Sequence, residues 1–120
     1  MEINLIRGKI ADKLGSSEVN DIWVNILQDT TPGNYGVNDI EINVDIKDIW
    51  VDIQERTFTF KNTELIFYAR LVGSSEKNGY DQKFSLVISG DGEFDFTDKS
   101  QDIKIMKFTI NEDLDLYSRN

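Results

Sequence analysis

The sequence contains no cysteine and no histidine, and this double absence removes several kinds of chemistry. Disulfides, zinc sites built from Cys and His, and Ser-His-Asp or Cys-His nucleophiles are excluded, as is imidazole acid-base catalysis. Carboxylate, hydroxyl and lysine chemistry remain, but no motif assembles these groups into an active site. We therefore expect a protein that is not an enzyme and that needs no cofactor and no metal.

Long apolar runs are also missing, and proline occurs once. No stretch approaches the roughly 18 consecutive apolar residues that indicate a membrane-spanning helix. The beginning of the chain, Met1 to Arg7, lacks the basic start, the apolar run and the cleavage site of a secretion signal. A cytoplasmic location without a membrane partner is expected.

The residues that are present are typical of a β-rich domain. With 120 residues, 39% of them hydrophobic, the chain is expected to form one domain over residues 1–120 that buries a core without crosslinks. Isoleucine and valine number 22 together, whereas alanine and leucine number 10, and seven phenylalanines add to the strand-forming residues. This composition argues against a helical bundle.

Short apolar alternations separated by polar turn signals recur along the chain. The clearest alternation runs from Ile40 to Ile46, and its phase flips at Lys47 and Asp48, where a bulge or tight turn is expected. Other strands are predicted in segments 3–10, 57–60, 65–71, 84–88, 94–96 and 103–110, with turns or loops at 29–36, 61–62, 73–79 and 90–92. The sequence therefore predicts a mainly β fold, an antiparallel β-sandwich or barrel of about seven to nine short strands.

Residues 17–28 fit two structures. Five apolar residues there have the spacing of an amphipathic helix: Val19, Ile22, Trp23, Ile26 and Leu27. However, one eight-residue template, with aspartate third and apolar residues first, fourth, sixth and eighth, recurs at 19–26, 37–44 and 46–53. Because the second and third copies lie in clear strand patterns, the template favours a strand for the first. At most one short helix, near residues 17–28, is expected.

Negative charge is concentrated in one part of the chain. Residues 18–55 carry nine acids and one base, a net charge of −8, while the whole chain carries −9. Such a charge repels phosphate backbones, so no nucleic-acid partner is expected. A basic protein partner is the natural counterpart. A simpler alternative is that the acids only keep a small domain soluble.

Trp50 is one of the two tryptophans within this acidic segment. If residues 48–53 form a strand, Asp48, Trp50 and Asp52 point away from the face that carries the neighbouring isoleucines and valine. Tryptophan is a frequent interface anchor, and nearby acids complement a basic partner. The candidate partner-binding residues are Asp39, Glu41, Asp45, Asp48, Trp50 and Asp52. The alternative is that the domain's own second layer or the 30–36 loop covers Trp50.

A second acidic cluster has the alternation found in calcium loops: Asp91, Glu93, Asp95 and Asp98. It does not fit the EF-hand template, because Phe96 stands where the sharp turn needs glycine. A calcium site of another type, completed by Asp113 and Asp115, is one alternative. The other is that these acids are the solvated face of a hairpin turn at residues 90–92.

These observations rank three functions. The first is a non-enzymatic, acidic protein-binding domain, such as an inhibitor, immunity protein or adaptor, that engages a basic partner. The second is a structural or assembly subunit that self-associates through unpaired strand edges into a homo-oligomer. The third is a calcium- or carbohydrate-binding module.

Overall fold

The computed structural model describes residues 2–30, 37–71 and 80–112. Two helices come first, α1 (Ile3–Leu14) and α2 (Asn20–Thr30), and a 3-10 turn at Ser17–Val19 joins them. Five strands follow: β1 (Val37–Asn43), β2 (Ile49–Asp52), β3 (Thr57–Leu71), β4 (Tyr80–Phe96) and β5 (Ile103–Ile110). The prediction of a mainly β fold is confirmed. The predicted loop at 73–79, most of the predicted loop at 29–36 and the tail after Glu112 lie outside the described residues.

The five strands form one curled antiparallel sheet in the order β1-β3-β4-β5, and β2 also pairs with β3. β1 and β2 lie end to end along the same edge of β3, opposite residues 64–69 and 57–60 respectively. A 3-10 turn at Ile46–Asp48 connects them, at the position where the phase of the alternation flips. Within the described residues the second layer is formed by the helices, so a two-sheet sandwich is not confirmed.

The strands are fewer and longer than predicted, because two of the predicted turns lie inside strands. Lys61 and Asn62 form a bulge within β3, where Asn62 has φ 49°, a conformation that asparagine tolerates. Gly90 lies inside β4, opposite Phe60, and a Cβ atom there would be 2.6 Å from Phe60 Cζ. The predicted hairpin turn at residues 90–92 is therefore wrong: the absent side chain makes room for a phenylalanine ring.

The predicted strand at residues 3–10 is also wrong, because this segment belongs to α1. Its buried residues, Ile6, Ile10 and Leu14, recur every fourth position and form one helical face. The alternation that suggested a strand includes Ile3, which is exposed. The carboxylate of Glu2 accepts a hydrogen bond of 2.9 Å from the backbone N–H of Asn4 and caps the helix.

Residues 17–28 are helical as well, so the helix indicated by the amphipathic spacing is confirmed and the strand favoured by the repeated template is wrong. The expectation of at most one helix is also wrong, because α1 is a second one. Val19, Trp23 and Leu27 recur every fourth position and all three are buried. The indole Nε1–H of Trp23 donates a hydrogen bond of 2.9 Å to the carbonyl of Leu14, and its ring centroid lies 4.6 Å from that of Phe108. Trp23 thereby connects α2 to both α1 and β5.

The two helices cover the inner face of the sheet and close the core. The strands contribute a largely aromatic inner layer: Ile49, Phe58, Phe60, Leu65, Phe67, Phe84, Ile88, Phe94, Ile103, Ile105 and Phe108. The described residues leave the outer face exposed, where Trp50, Val87 and Met106 stand in solvent. Among the helices of the described residues, none is long and apolar enough to span a membrane.

Candidate functional site

Strand β2 sends its side chains alternately to the core and to the outer face of the sheet. Ile49 is fully buried and Val51 is half-buried, whereas Trp50 is 49% exposed and Asp52 is exposed. In the register with β3, Trp50 lies opposite Thr59. The described residues do not cover Trp50 with a second layer, and the 31–36 segment lies outside them. About half of the Trp50 side chain is therefore in solvent.

Lys61 is the residue at this site that sequence reasoning missed. Its ammonium nitrogen lies 5.3 Å from the centroid of the Trp50 ring, within the range of a cation–π interaction. It stands at the bulge of β3, almost opposite Trp50 across the β2–β3 hairpin. Trp50 is paired with Thr59, and Lys61 follows two residues later, at the bulge of β3. The alternation in the sequence specifies neither this register nor the bulge.

The acidic candidates form a line along one edge of the sheet rather than a single cluster. Glu41 is paired with Ile66 and Asp52 with Thr57, so nine residues of β3, or about 30 Å of strand, separate them. Asp39 stands with Glu41 in β1, at a bulge where its φ is 54°. The structure thus places two of the candidates at one end of the line, and Asp48, Trp50 and Asp52 at the other. Asp45 lies between them, before the 3-10 turn.

Three of these carboxylates are held by local hydrogen bonds. Asp45 Oδ1 accepts from the backbone N–H of Lys47 at 3.1 Å, and Asp52 Oδ1 accepts from that of Glu55 at 3.1 Å. Asp48 Oδ1 accepts from the Asn62 amide at 3.2 Å. Each bond restricts the side chain without neutralising it.

The acids of this edge form no ion pairs among the described residues, although cations lie nearby: Lys47 is part of the edge, and Arg7 Nε donates a hydrogen bond of 2.6 Å to the Ile49 carbonyl. Within the described part of the chain, no lysine or arginine nitrogen lies within 4.0 Å of a carboxylate oxygen of the five acidic candidates, Asp39, Glu41, Asp45, Asp48 and Asp52. We call the edge formed by β1, the 3-10 turn at Ile46–Asp48 and β2 the acidic edge. It carries five acids and one base, Lys47, and therefore a net negative charge.

Acids on β4 have a different environment. Glu93 lies 2.8 Å from the Lys107 ammonium, which raises the pKa of that lysine, and Asp95 lies 3.7 Å from Arg56 Nε. They stand along a strand rather than in a loop. In the residues that the structure describes, no group of three or more acids is arranged to hold a metal ion. Asp113 and Asp115, which the calcium alternative also uses, lie outside the described residues.

A third charged region joins α1 to the start of β5. The Lys13 ammonium lies 3.1 Å from Glu18 and 3.6 Å from Asp102, and its hydrogen bond to Glu18 raises its pKa. Desolvation opposes ionisation of Asp102, but the Ile103 N–H and the charge of Lys13 outweigh it, so the pKa of Asp102 is lowered. Glu18 and Asp102 are thus paired with a cation of the protein itself, whereas the acids of the acidic edge are not.

Comparison of the chain with protein-family models, with curated proteins and with solved structures found no match. The function is therefore argued from the geometry of the acidic edge and from Trp50.

Proposed function

We propose that this protein is a non-enzymatic binding domain that engages a basic partner protein, as an inhibitor, immunity protein or adaptor does. One observation carries the proposal: Trp50 is 49% exposed and stands between Asp48 and Asp52, which have no cationic partner among the described residues. The proposed contact surface consists of Asp39, Glu41, Asp45, Asp48, Trp50 and Asp52. The partner is expected in the cytoplasm.

The physical roles of the two residue types differ. An exposed tryptophan has a large apolar area to bury and frequently anchors an interface. A line of acids that form no ion pairs attracts a basic surface over long distances and sets the orientation of the encounter. Because local hydrogen bonds restrict three of the acids, less side-chain entropy is lost when the partner binds.

The test compares two substitutions on a captured partner. Wild-type protein and the Trp50→Ala variant are used to capture proteins from source cells, and each protein that depends on Trp50 is purified for kinetics. Association of the wild-type protein with the partner should slow as ionic strength rises to physiological levels, where the screening length is about 8 Å. At low ionic strength, Asp52→Lys should associate more slowly than the wild-type protein. Trp50→Ala should mainly speed dissociation, with a loss of about 2 kcal/mol or more.

Asp52 is the better site for charge reversal than Asp48, because Asp52 is exposed whereas Asp48 is half-buried. Asp98→Lys serves as the matched control, since it makes the same charge change at an exposed residue away from the acidic edge. A captured partner whose association rate responds equally to both reversals contradicts the proposed surface, as does a partner without a basic face.

Self-association through a strand edge is the second candidate, and the outer edge of β4 favours it. β5 pairs with β4 only from Gly90 to Phe96. At Ser89 the backbone N–H donates a hydrogen bond of 2.9 Å to the Glu112 carboxylate instead of to a strand. Beyond Ser89, Val87 is 70% exposed, and no described residue pairs with this edge. An unpaired edge can add a strand from a second copy.

Salt separates the two candidates, because chains of net charge −9 repel each other. Self-association should strengthen as ionic strength rises, whereas binding of a basic partner should weaken. Sedimentation of the wild-type protein should then show a dimer that Val87→Lys abolishes. A monomer at every concentration and ionic strength excludes assembly through this edge.

A further inference from the structure

One face of the exposed Trp50 ring already holds a cation in the unbound protein. The ammonium of Lys61 lies 5.3 Å from the ring centroid, within the roughly 6 Å over which an aromatic ring attracts a positive charge. Among the described residues, no carboxylate oxygen lies within 4.0 Å of this ammonium. Lys61 therefore contacts the ring without an ion pair, and such a contact at an exposed site is weak and easily exchanged.

The carboxylates beside the ring are available to a second cation. Asp52 faces the same side of β2 as Trp50, about 7 Å further along the strand. Only its Oδ1 accepts a hydrogen bond, from the Glu55 N–H, among the contacts of the described residues. The other oxygen can accept from a group that lies on the ring.

We propose that Trp50 is the subsite for an arginine side chain of the partner, and that Lys61 occupies this place until the partner binds. The inference rests on the proposed function. A guanidinium group is flat and carries five N–H donors, so it can stack on the indole and donate to the Asp52 carboxylate at the same time. An ammonium group is a point charge and cannot use both surfaces equally. The site therefore prefers arginine to lysine.

The first test uses two capped peptides as probes, tetra-arginine and tetra-lysine, titrated into the wild-type protein at low ionic strength. The wild-type protein should bind tetra-arginine more tightly, by a factor of up to about 5, which corresponds to the full contribution of a cation–π contact at an exposed site. Trp50→Leu should remove this preference and leave a residual affinity that is equal for both peptides. Circular dichroism and a thermal melt establish that the variant is folded.

The second test separates ring occupancy from charge. Lys61→Ala and Lys47→Ala both change the net charge from −9 to −10, and both lysines are exposed, but only Lys61→Ala vacates the ring. Lys61→Ala should therefore strengthen tetra-arginine binding more than Lys47→Ala does. Equal strengthening by the two variants overturns the role of Lys61.

The outcomes distinguish this inference from the proposed function. If neither peptide binds the wild-type protein at low ionic strength, the acidic edge does not attract cations, and both proposals fail. If both peptides bind equally and Trp50→Leu changes neither affinity, the arginine subsite alone is overturned.

Discussion

The tetrapeptide Asp-Ile-Trp-Val occurs twice in this chain, at residues 21–24 and 48–51, with opposite results. In α2 its tryptophan, Trp23, is 1% exposed and bonded to the core, and the isoleucine beside it is only partly buried. In the second copy, most of which lies in β2, the tryptophan is Trp50 and is 49% exposed, whereas Ile49 is fully buried. The same four residues therefore supply a buried tryptophan in one place and a half-exposed tryptophan in the other.

The period of the backbone explains the difference. In a helix, residues four apart share a face, so Trp23 is buried together with Val19 and Leu27. In a strand, adjacent residues face opposite sides, so burying Ile49 places Trp50 in solvent. The role of each tryptophan is set by its neighbours several residues away, and not by the tetrapeptide.

The largest predicted difference in stability is between the variants that lack one tryptophan or the other. Trp23→Ala should lower the free energy of unfolding by about 3 to 5 kcal/mol, because it leaves a cavity under α2 and orphans the Leu14 carbonyl. Trp50→Ala should cost about 1 kcal/mol or less, as expected at a half-exposed position outside the core. Denaturant unfolding of both variants measures this. Similar losses in the two variants would contradict the assignment of Trp50 to the surface.

Two glycines, Gly8 in α1 and Gly90 in β4, allow the same comparison between a helix and a strand. Gly90→Ala should destabilise the protein by about 1 to 3 kcal/mol, because the new Cβ would meet the Thr109 carbonyl and the Phe60 ring. Gly8→Ala in α1 should stabilise it by about 0.5 to 1 kcal/mol, because its Cβ would lie 3.7 Å from Ile46 Cδ1, an ordinary contact. Thermal melts of the two variants should shift in opposite directions. Shifts of the same sign would contradict either the helix at Gly8 or the close contact of Gly90 with Phe60.

The smallest predicted effect concerns the contact between α1 and β5. Because the pKa of Asp102 is lowered in the folded protein, its carboxylate contributes stability above its ordinary pKa of 3.8. That stability is lost as the pH falls through the lowered value. Asp102→Asn should therefore reduce the melting temperature at neutral pH, and the difference from wild type should vanish in strong acid.

Asp98→Asn is the control for this pH dependence, because it removes the same charge from a neighbouring exposed residue that has no ion pair in the described structure. A wild-type advantage over Asp102→Asn that grows as the pH falls below 3.8 would have the wrong sign. It would mean that the contact with Lys13 does not favour the charged carboxylate.

Strand alternation made the β-rich, antiparallel character predictable, including the phase flip at Lys47 and Asp48 and the opposite directions of Ile49 and Trp50. The two helices were harder to predict, because Ile3 and Leu5 alternate with polar residues as a strand would. The buried positions of α1 become visible only at a spacing of four, and Gly8 weakens its helix propensity. Local pattern alone did not choose between the two periods.

The strand boundaries failed for a long-range reason. Gly90 looks like a turn residue in the sequence, but its partner across the sheet is Phe60, thirty residues earlier. The acidic residues of the candidate site were visible from composition. The contact of Lys61 with Trp50 depends on the register across the hairpin and on the bulge that follows, which the alternation does not specify.

Of the two tryptophans, we propose that the exposed Trp50, and not the buried Trp23, binds a cationic partner. A nitrogen–proton correlation spectrum resolves the two indole N–H groups, which substitution of each tryptophan assigns. On titration with capped tetra-arginine peptide, the Trp50 indole resonance should shift progressively. The Trp23 indole, buried and bonded to the Leu14 carbonyl, should remain in place. A Trp50 resonance that stays fixed while the peptide binds, or a shift of both resonances to the same extent, would contradict the account.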